Sequence, residues 1–191
     1  MQPTIADDVD PAEALAALFL GDAQRFDAAA KQLARGNHSV DIPITGTSMG
    51  ANLPKGTVVR VALTDAASCN AGDIVVFRLL QRVVAHRLIH RTDSYLLTRG
   101  DARFSPDPPI PNDRVLGRVT GIVASGALLP LQGFRHRSAL VRAIKAMISE
   151  ASIVALRISP ALALGFSRLV TVAERLQRGA RADEKAAGPS L

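Results

Sequence analysis

The alternation of apolar and polar positions divides the chain into three textures. Apolar side chains at Leu15, Leu18, Phe19, Phe26 and Leu33 recur at helical spacing, and Asp10, Pro11 and Glu13 supply an N-cap and a first turn. This predicts an N-terminal helical segment within residues 1–39, which Gly21-Asp22 can divide in two. From Val40 the pattern changes to short β-branched runs: Asp41 to Thr45, Thr57 to Leu63, Asp73 to Leu79, Val83 to Ile89, Ser94 to Thr98 and Val115 to Val123. Turn-forming Pro54-Lys55-Gly56, Asn70-Ala71-Gly72-Asp73 and Arg99-Gly100-Asp101 punctuate them. The expectation is a mainly β domain over residues 40–130, folded as a small curled sheet. After Pro130 the period lengthens again. Leu140, Ile144, Met147, Ala151, Val154 and Ile158, then Leu162, Phe166, Leu169, Ala173 and Leu176 beyond Pro160, predict two amphipathic helices across residues 131–181. The polar stretch 182–191 is expected to be a disordered tail.

Composition sharpens this outline. A chain of 191 residues, 48% of them hydrophobic, can bury one core with an appendage. The formal charge of +6 is local: residues 134–181 hold nine lysines and arginines against two acids. Aromatic residues make up 4% of the chain, with no tryptophan, so stacking platforms for single strands are not expected. The N-terminal segment offers no helix-turn-helix with a basic recognition face, and no nucleic-acid partner is expected. A lone cysteine, Cys69, excludes an intrachain disulfide and fits a reducing compartment. No cationic leader opens the sequence, and Arg157 and Arg168 interrupt its most apolar stretch. The protein is therefore expected in the cytoplasm, soluble or peripheral to the inner membrane face. Two readings of the basic helices stand open at this point. Either they lie on an anionic membrane surface, or their apolar faces pack on the β domain and on each other with the arginines in solvent.

Few side chains in the β region can carry chemistry. Ser48, in Gly46-Thr47-Ser48-Met49, sits in a turn after a strand, where a hydroxyl can be presented beside free backbone N–H groups. A serine nucleophile needs a base. The lysines are Lys31, Lys55, Lys145 and Lys185, none of them in the β region after residue 55, so histidine is the candidate. His86 lies within the stiff run Val83 to Ile89, with His90 as its competitor. On a strand, four residues span about 13 Å, so the two imidazoles cannot share a metal ion, and no metal site or cofactor is expected. Asp101 and Asp107 are the candidate acids, both in the turn-rich stretch after the next strand, and either can reach a histidine on a neighbouring strand.

The order of these blocks carries a resemblance. Ile44-Thr45-Gly46-Thr47-Ser48-Met49 is followed by Gly72-Asp73-Ile74-Val75-Val76-Phe77, then Val83 to Ile89, then Leu96-Leu97-Thr98-Arg99-Gly100-Asp101, and finally Leu116 to Val119. Over about residues 41–123 this resembles the signal-peptidase and LexA superfamily of serine peptidases. In particular it resembles the Ser-His branch of archaeal and endoplasmic-reticulum signal peptidases, because His86 stands where other members carry lysine. The resemblance implies Ser48 as nucleophile, His86 as general base, Asp107 as the acid orienting it and Asp101 as a second carboxylate of the site. It also implies an oxyanion hole that includes the Ser48 N–H, with Thr45 or Thr47 adding a hydroxyl. The sequence departs from the pattern after Met49, where Gly50-Ala51-Asn52-Leu53-Pro54 replaces the usual proline, and at Gly56-Thr57 in place of Gly-Asp.

These readings point to a serine endopeptidase that needs no cofactor and matures a specific peptide or small protein precursor. The rival is a non-catalytic peptide-binding or scaffold module on the same fold, which the departures after Met49 favour. Self-cleavage in the LexA manner is a third reading, weakened by the missing lysine and DNA-binding domain.

Overall fold

The computed structural model describes residues 38–80, 82–131 and 139–186. The N-terminal helical segment expected from the sequence lies outside the described residues. Eight antiparallel strands form one sheet: β1 (Ser39–Pro43), β2 (Val58–Leu63), β3 (Ile74–Leu79), β4 (Arg82–Arg91), β5 (Tyr95–Arg99), β6 (Ile110–Pro111), β7 (Val115–Ala124) and β8 (Ala127–Leu129). Their order is β1-β2-β7-β3-β4-β5-β6, with β8 paired to β7. The mainly β fold read from the pattern is the fold observed. All six strands expected from it are present, and β6 and β8 are additions too short to leave a period in the sequence.

The sheet curls because its ladders slip. Register shifts fall between Arg60 and Val61 in β2, between Val76 and Phe77 in β3, and between Leu88 and His90 in β4. Each such irregularity bends a strand and increases its twist. Curling gives the sheet two cores. Ile74 and Val76 of β3 point into one, with Val40, Ile42, Val59, Val61 and Leu116, whereas Val75 and Phe77 point into the other, with Leu88, Leu96 and Ile110. The alternation along Ile74 to Phe77 explains why this strand reads as an unbroken apolar run: both of its faces are buried.

Two helices follow the sheet, α1 (Ala139–Ile158) and α2 (Pro160–Ala186), broken where Pro160 cannot continue the first. The second runs five residues into the stretch 182–191 expected to be a disordered tail, and the last five residues lie outside the description. The helices attach through a small third core, in which Leu156 of α1 and Ala163 of α2 meet Leu97 of β5.

Of the two open readings of these helices, inward packing of the apolar faces is limited to that contact among the described side chains. Their buried positions include Lys145, Ser152, Ser167 and Glu174, while Met147, Ile158, Leu162 and Leu169 are exposed. The reason lies in what they cover. The segment after β5 forms no ladder until β6, so its backbone groups need polar partners, and the helices supply them.

Candidate active site

Ser48 is set by the chain on both sides of it. Pairing of β1 with β2 continues beyond the strands, since the Ile44 N–H donates to the Thr57 carbonyl at 2.8 Å and the Gly56 N–H donates to the Ile44 carbonyl at 2.7 Å. Met49 and Leu53 are buried in the first core and anchor the turn that follows. Between them Gly50 takes φ +58°, a left-handed conformation that glycine adopts without a Cβ penalty. The Ser48 carbonyl accepts the Ala102 N–H at 2.9 Å, which ties this turn to the end of β5. Among the described residues the Ser48 N–H has no acceptor, and Thr45 and Thr47 are exposed.

His86 is placed by the ladder. It pairs with Val75 of β3, and Phe77, two residues along on the same face, meets the imidazole edge to face with ring centroids 6.1 Å apart. On the other side Arg87 pairs with Arg99, so Gly100 comes opposite His86 one step beyond the end of β5. A Cβ at Gly100 would lie 3.1 Å from His86 Nε2, 3.0 Å from Ser48 Cβ and 2.6 Å from the Ser48 carbonyl oxygen. Only glycine leaves room here for both the Ser48 backbone and the His86 ring.

Three side chains join in one hydrogen-bonded line. His86 Nε2 lies 2.7 Å from Ser48 Oγ, and His86 Nδ1 lies 2.6 Å from Asp107 Oδ2. An ionised carboxylate only accepts, so Nδ1 carries the proton of a neutral imidazole, which leaves Nε2 to accept from the serine hydroxyl. Asp107 is fixed in turn, because Oδ2 also accepts from Thr98 Oγ1 at 2.7 Å and the Asp107 N–H donates to the Thr98 carbonyl at 2.8 Å. His86 is only 6% exposed, so water competes little for these bonds.

Asp101 does not take part in that line, which corrects its reading as an alternative orienting acid. Its carboxylate accepts from Arg87 Nε at 2.9 Å and Nη2 at 2.7 Å, and from Asn52 Nδ2 at 2.8 Å. It is structural within the site, joining the turn after Ser48 to the strand that carries His86. His90, the competing histidine, lies beyond the register shift in β4, and burial together with the nearby Arg157 pulls its pKa below the usual value. Among the described residues no three His, Cys, Asp or Glu side chains gather so as to hold a metal ion.

The segment from Asp101 to Asp107 is held from behind by the helices. Lys145 Nζ donates to the Asp101 carbonyl. Glu174 accepts the N–H groups of Phe104 and Ser105, Ser167 Oγ donates to the Pro106 carbonyl, and Ser105 Oγ is bonded to Thr171 Oγ1. Arg99, at the end of β5, donates to the Lys145 carbonyl and to Ser149 Oγ, both at 3.1 Å. Desolvation, aided by Arg99, lowers the Lys145 pKa to about 8.

Comparison with known proteins identifies the family. The profile of the Peptidase S24-like family matches residues 11–120, more than half of the chain. The chain belongs to the Peptidase S24-like family. No curated protein and no solved structure matches it. The S24-like match spans β1 to β6 and most of β7, and with them Ser48, His86, Asp101 and Asp107. It ends before β8 and both helices, so the helix residues that hold the 101–107 segment lie outside the matched region.

Sequence reasoning singled out Ser48, His86 and Asp107, which the structure brings together, but passed over Gly100, Thr98, Asn52 and Arg87. Gly100 was legible only as a turn former. Its close approach to His86 depends on the β4–β5 register, which no local pattern encodes.

Proposed function

We propose that this S24-like protein is a serine endopeptidase of the Ser-His type, acting on a peptide or small protein precursor. The observation that carries the reading is the unbroken line from Ser48 Oγ through His86 to Asp107, with contacts of 2.7 and 2.6 Å. In this mechanism Ser48 Oγ attacks the scissile carbonyl carbon while its proton passes to His86 Nε2. The Ser48 N–H helps hold the negative oxygen of the tetrahedral intermediate. That intermediate collapses as the C–N bond breaks and His86 returns the proton to the leaving amine, which leaves an acyl-Ser48. Water repeats the sequence and frees the carboxylic acid. Asp107 keeps the proton of the neutral imidazole on Nδ1 and stabilises the imidazolium that forms. The chemistry is complete without a cofactor.

Labelling of the purified protein with a fluorophosphonate tests this. The wild type is expected to take up the probe, and Ser48→Ala and His86→Ala are expected to abolish uptake. A folded wild-type protein that takes no label would refute the peptidase reading and leave a peptide-binding module on the same fold.

A further inference from the structure

We infer that the outer face of the α1–α2 hairpin docks in the interface of an anionic membrane leaflet. The observation is an apolar stripe on each helix that faces away from the sheet. In α1, Ile144, Met147, Ala151, Val154 and Ile158 follow one another at steps of three and four, and all are exposed. In α2, Leu162, Leu169 and Val172 repeat the arrangement. Met147 is 72% exposed, Ile158 70% and Leu169 68%, values foreign to the ordinary amphipathic helix of a soluble domain.

Both stripes point the same way. The buried line of α1 runs through Lys145, Ser152 and Leu156, and that of α2 through Ala163, Ser167 and Glu174. At 3.6 residues per turn each stripe is centred about 150° from its buried line. The buried lines both contact β5 or the 101–107 segment, so the stripes form one outer surface.

Charge selects the occupant. Arg157, Arg168 and Arg175 are exposed, each on the same flank of its stripe at about 100° from the centre. Glu150 is the one exposed acid among the described side chains of the two helices. A second copy packed face to face would bring two sets of these arginines to one rim with little to neutralise them. Lipid phosphates supply the missing anions, and the acyl boundary takes up the apolar stripe. No helix among the described residues is long and apolar enough to cross a membrane, so the hairpin lies in the interface plane. Docking through this face leaves the inner face free to hold the 101–107 segment, and the inference does not depend on the peptidase reading.

Flotation of the full chain with vesicles tests it, using phosphatidylcholine alone and phosphatidylcholine mixed with phosphatidylglycerol. Binding to the mixed vesicles is expected to exceed binding to the neutral ones at least tenfold. Arg157→Gln, Arg168→Gln and Arg175→Gln together are expected to lower it roughly a hundredfold at low salt, since each cation contributes about a factor of five. Met147→Glu with Leu169→Glu is expected to abolish it. All five positions are exposed, and an unchanged thermal midpoint verifies that each variant folds. Equal binding to neutral vesicles, or no binding to anionic ones, would overturn the inference. A dimer in solution that Met147→Glu dissociates, without flotation of the wild type, would assign the face to a second copy instead.

Discussion

Replacing Gly100 by alanine should disable the candidate site while leaving the fold standing. The new Cβ would lie 2.6 Å from the Ser48 carbonyl oxygen, and an ordinary contact begins at 3.4 Å, so the serine backbone or β5 must give by about 0.8 Å. That movement acts on the bond between the Ala102 N–H and the same carbonyl, now 2.9 Å, and it parts Ser48 Oγ from His86 Nε2, now 2.7 Å. Misplacement of reacting groups by about 1 Å costs on the order of a hundredfold in rate. The φ of Gly100 is not in the left-handed region, so alanine brings no backbone strain and stiffens the unfolded chain by about 0.4–1 kcal/mol in favour of folding. The clash, at roughly 1–3 kcal/mol, outweighs this, and the net loss of stability is expected to be about 1–2 kcal/mol. Second-order rates of fluorophosphonate labelling, measured beside urea denaturation, test both parts. A labelling rate within threefold of wild type would refute the argument that this close approach sets the Ser48–His86 geometry.

The two aspartates are expected to separate by phenotype. Asp107→Asn should slow labelling by about 10³–10⁴ with little change in the urea midpoint, whereas Asp101→Asn should cost about 2–4 kcal/mol by leaving Arg87 and Asn52 badly partnered. Equal effects of both on rate would contradict the assignment of Asp107 alone to His86. Glu174→Gln weakens the acceptor of two backbone N–H groups, and a loss of about 1–2 kcal/mol with roughly tenfold slower labelling is expected; an unchanged rate would show that Asp107 keeps its position without the clamp. Lys145 gives a pH signature. Its folded pKa of about 8 lies below its ordinary 10.5, so between these values the unfolded chain holds a proton that the folded chain has released. Stability contributed at this position therefore rises from about pH 8 to about pH 10.5, and below pH 8 the buried ammonium weighs against the fold. Lys145→Met should remove this rise from urea titrations across that range, and an identical slope in the variant would contradict burial of the charge.

The sheet and the pairing of Ser48 with a histidine base were legible in the sequence for a physical reason. β-Branched runs separated by glycine, proline and aspartate encode strands locally, and the paucity of lysine and histidine in the β region left few candidate bases. Choosing between Asp101 and Asp107 was not possible from residues alone, because both are turn aspartates. The choice is made by Arg87 and Asn52, 14 and 49 residues from Asp101, which claim its carboxylate. Lys145 was set aside for lying outside the β region, yet it reaches the Asp101 carbonyl once α1 docks. The orientation of the helices stayed open for a related reason. Amphipathic periodicity identifies an apolar stripe but not which face the protein will cover, and here the unpaired backbone of the 101–107 segment recruits the polar side.

The clamp has a consequence for the order in which the protein matures. Ser48 and His86 are made, and their strands can pair, well before the ribosome reaches α2. The Phe104 and Ser105 amides and the Pro106 carbonyl cannot find Glu174 and Ser167 until those residues have been synthesised and have left the exit tunnel. A growing chain thus holds its serine and histidine in place while the neighbour of Asp107 still lacks its supports. The segment gains its last supports only after the sheet is complete, and until then Thr98 alone holds Asp107 beside His86.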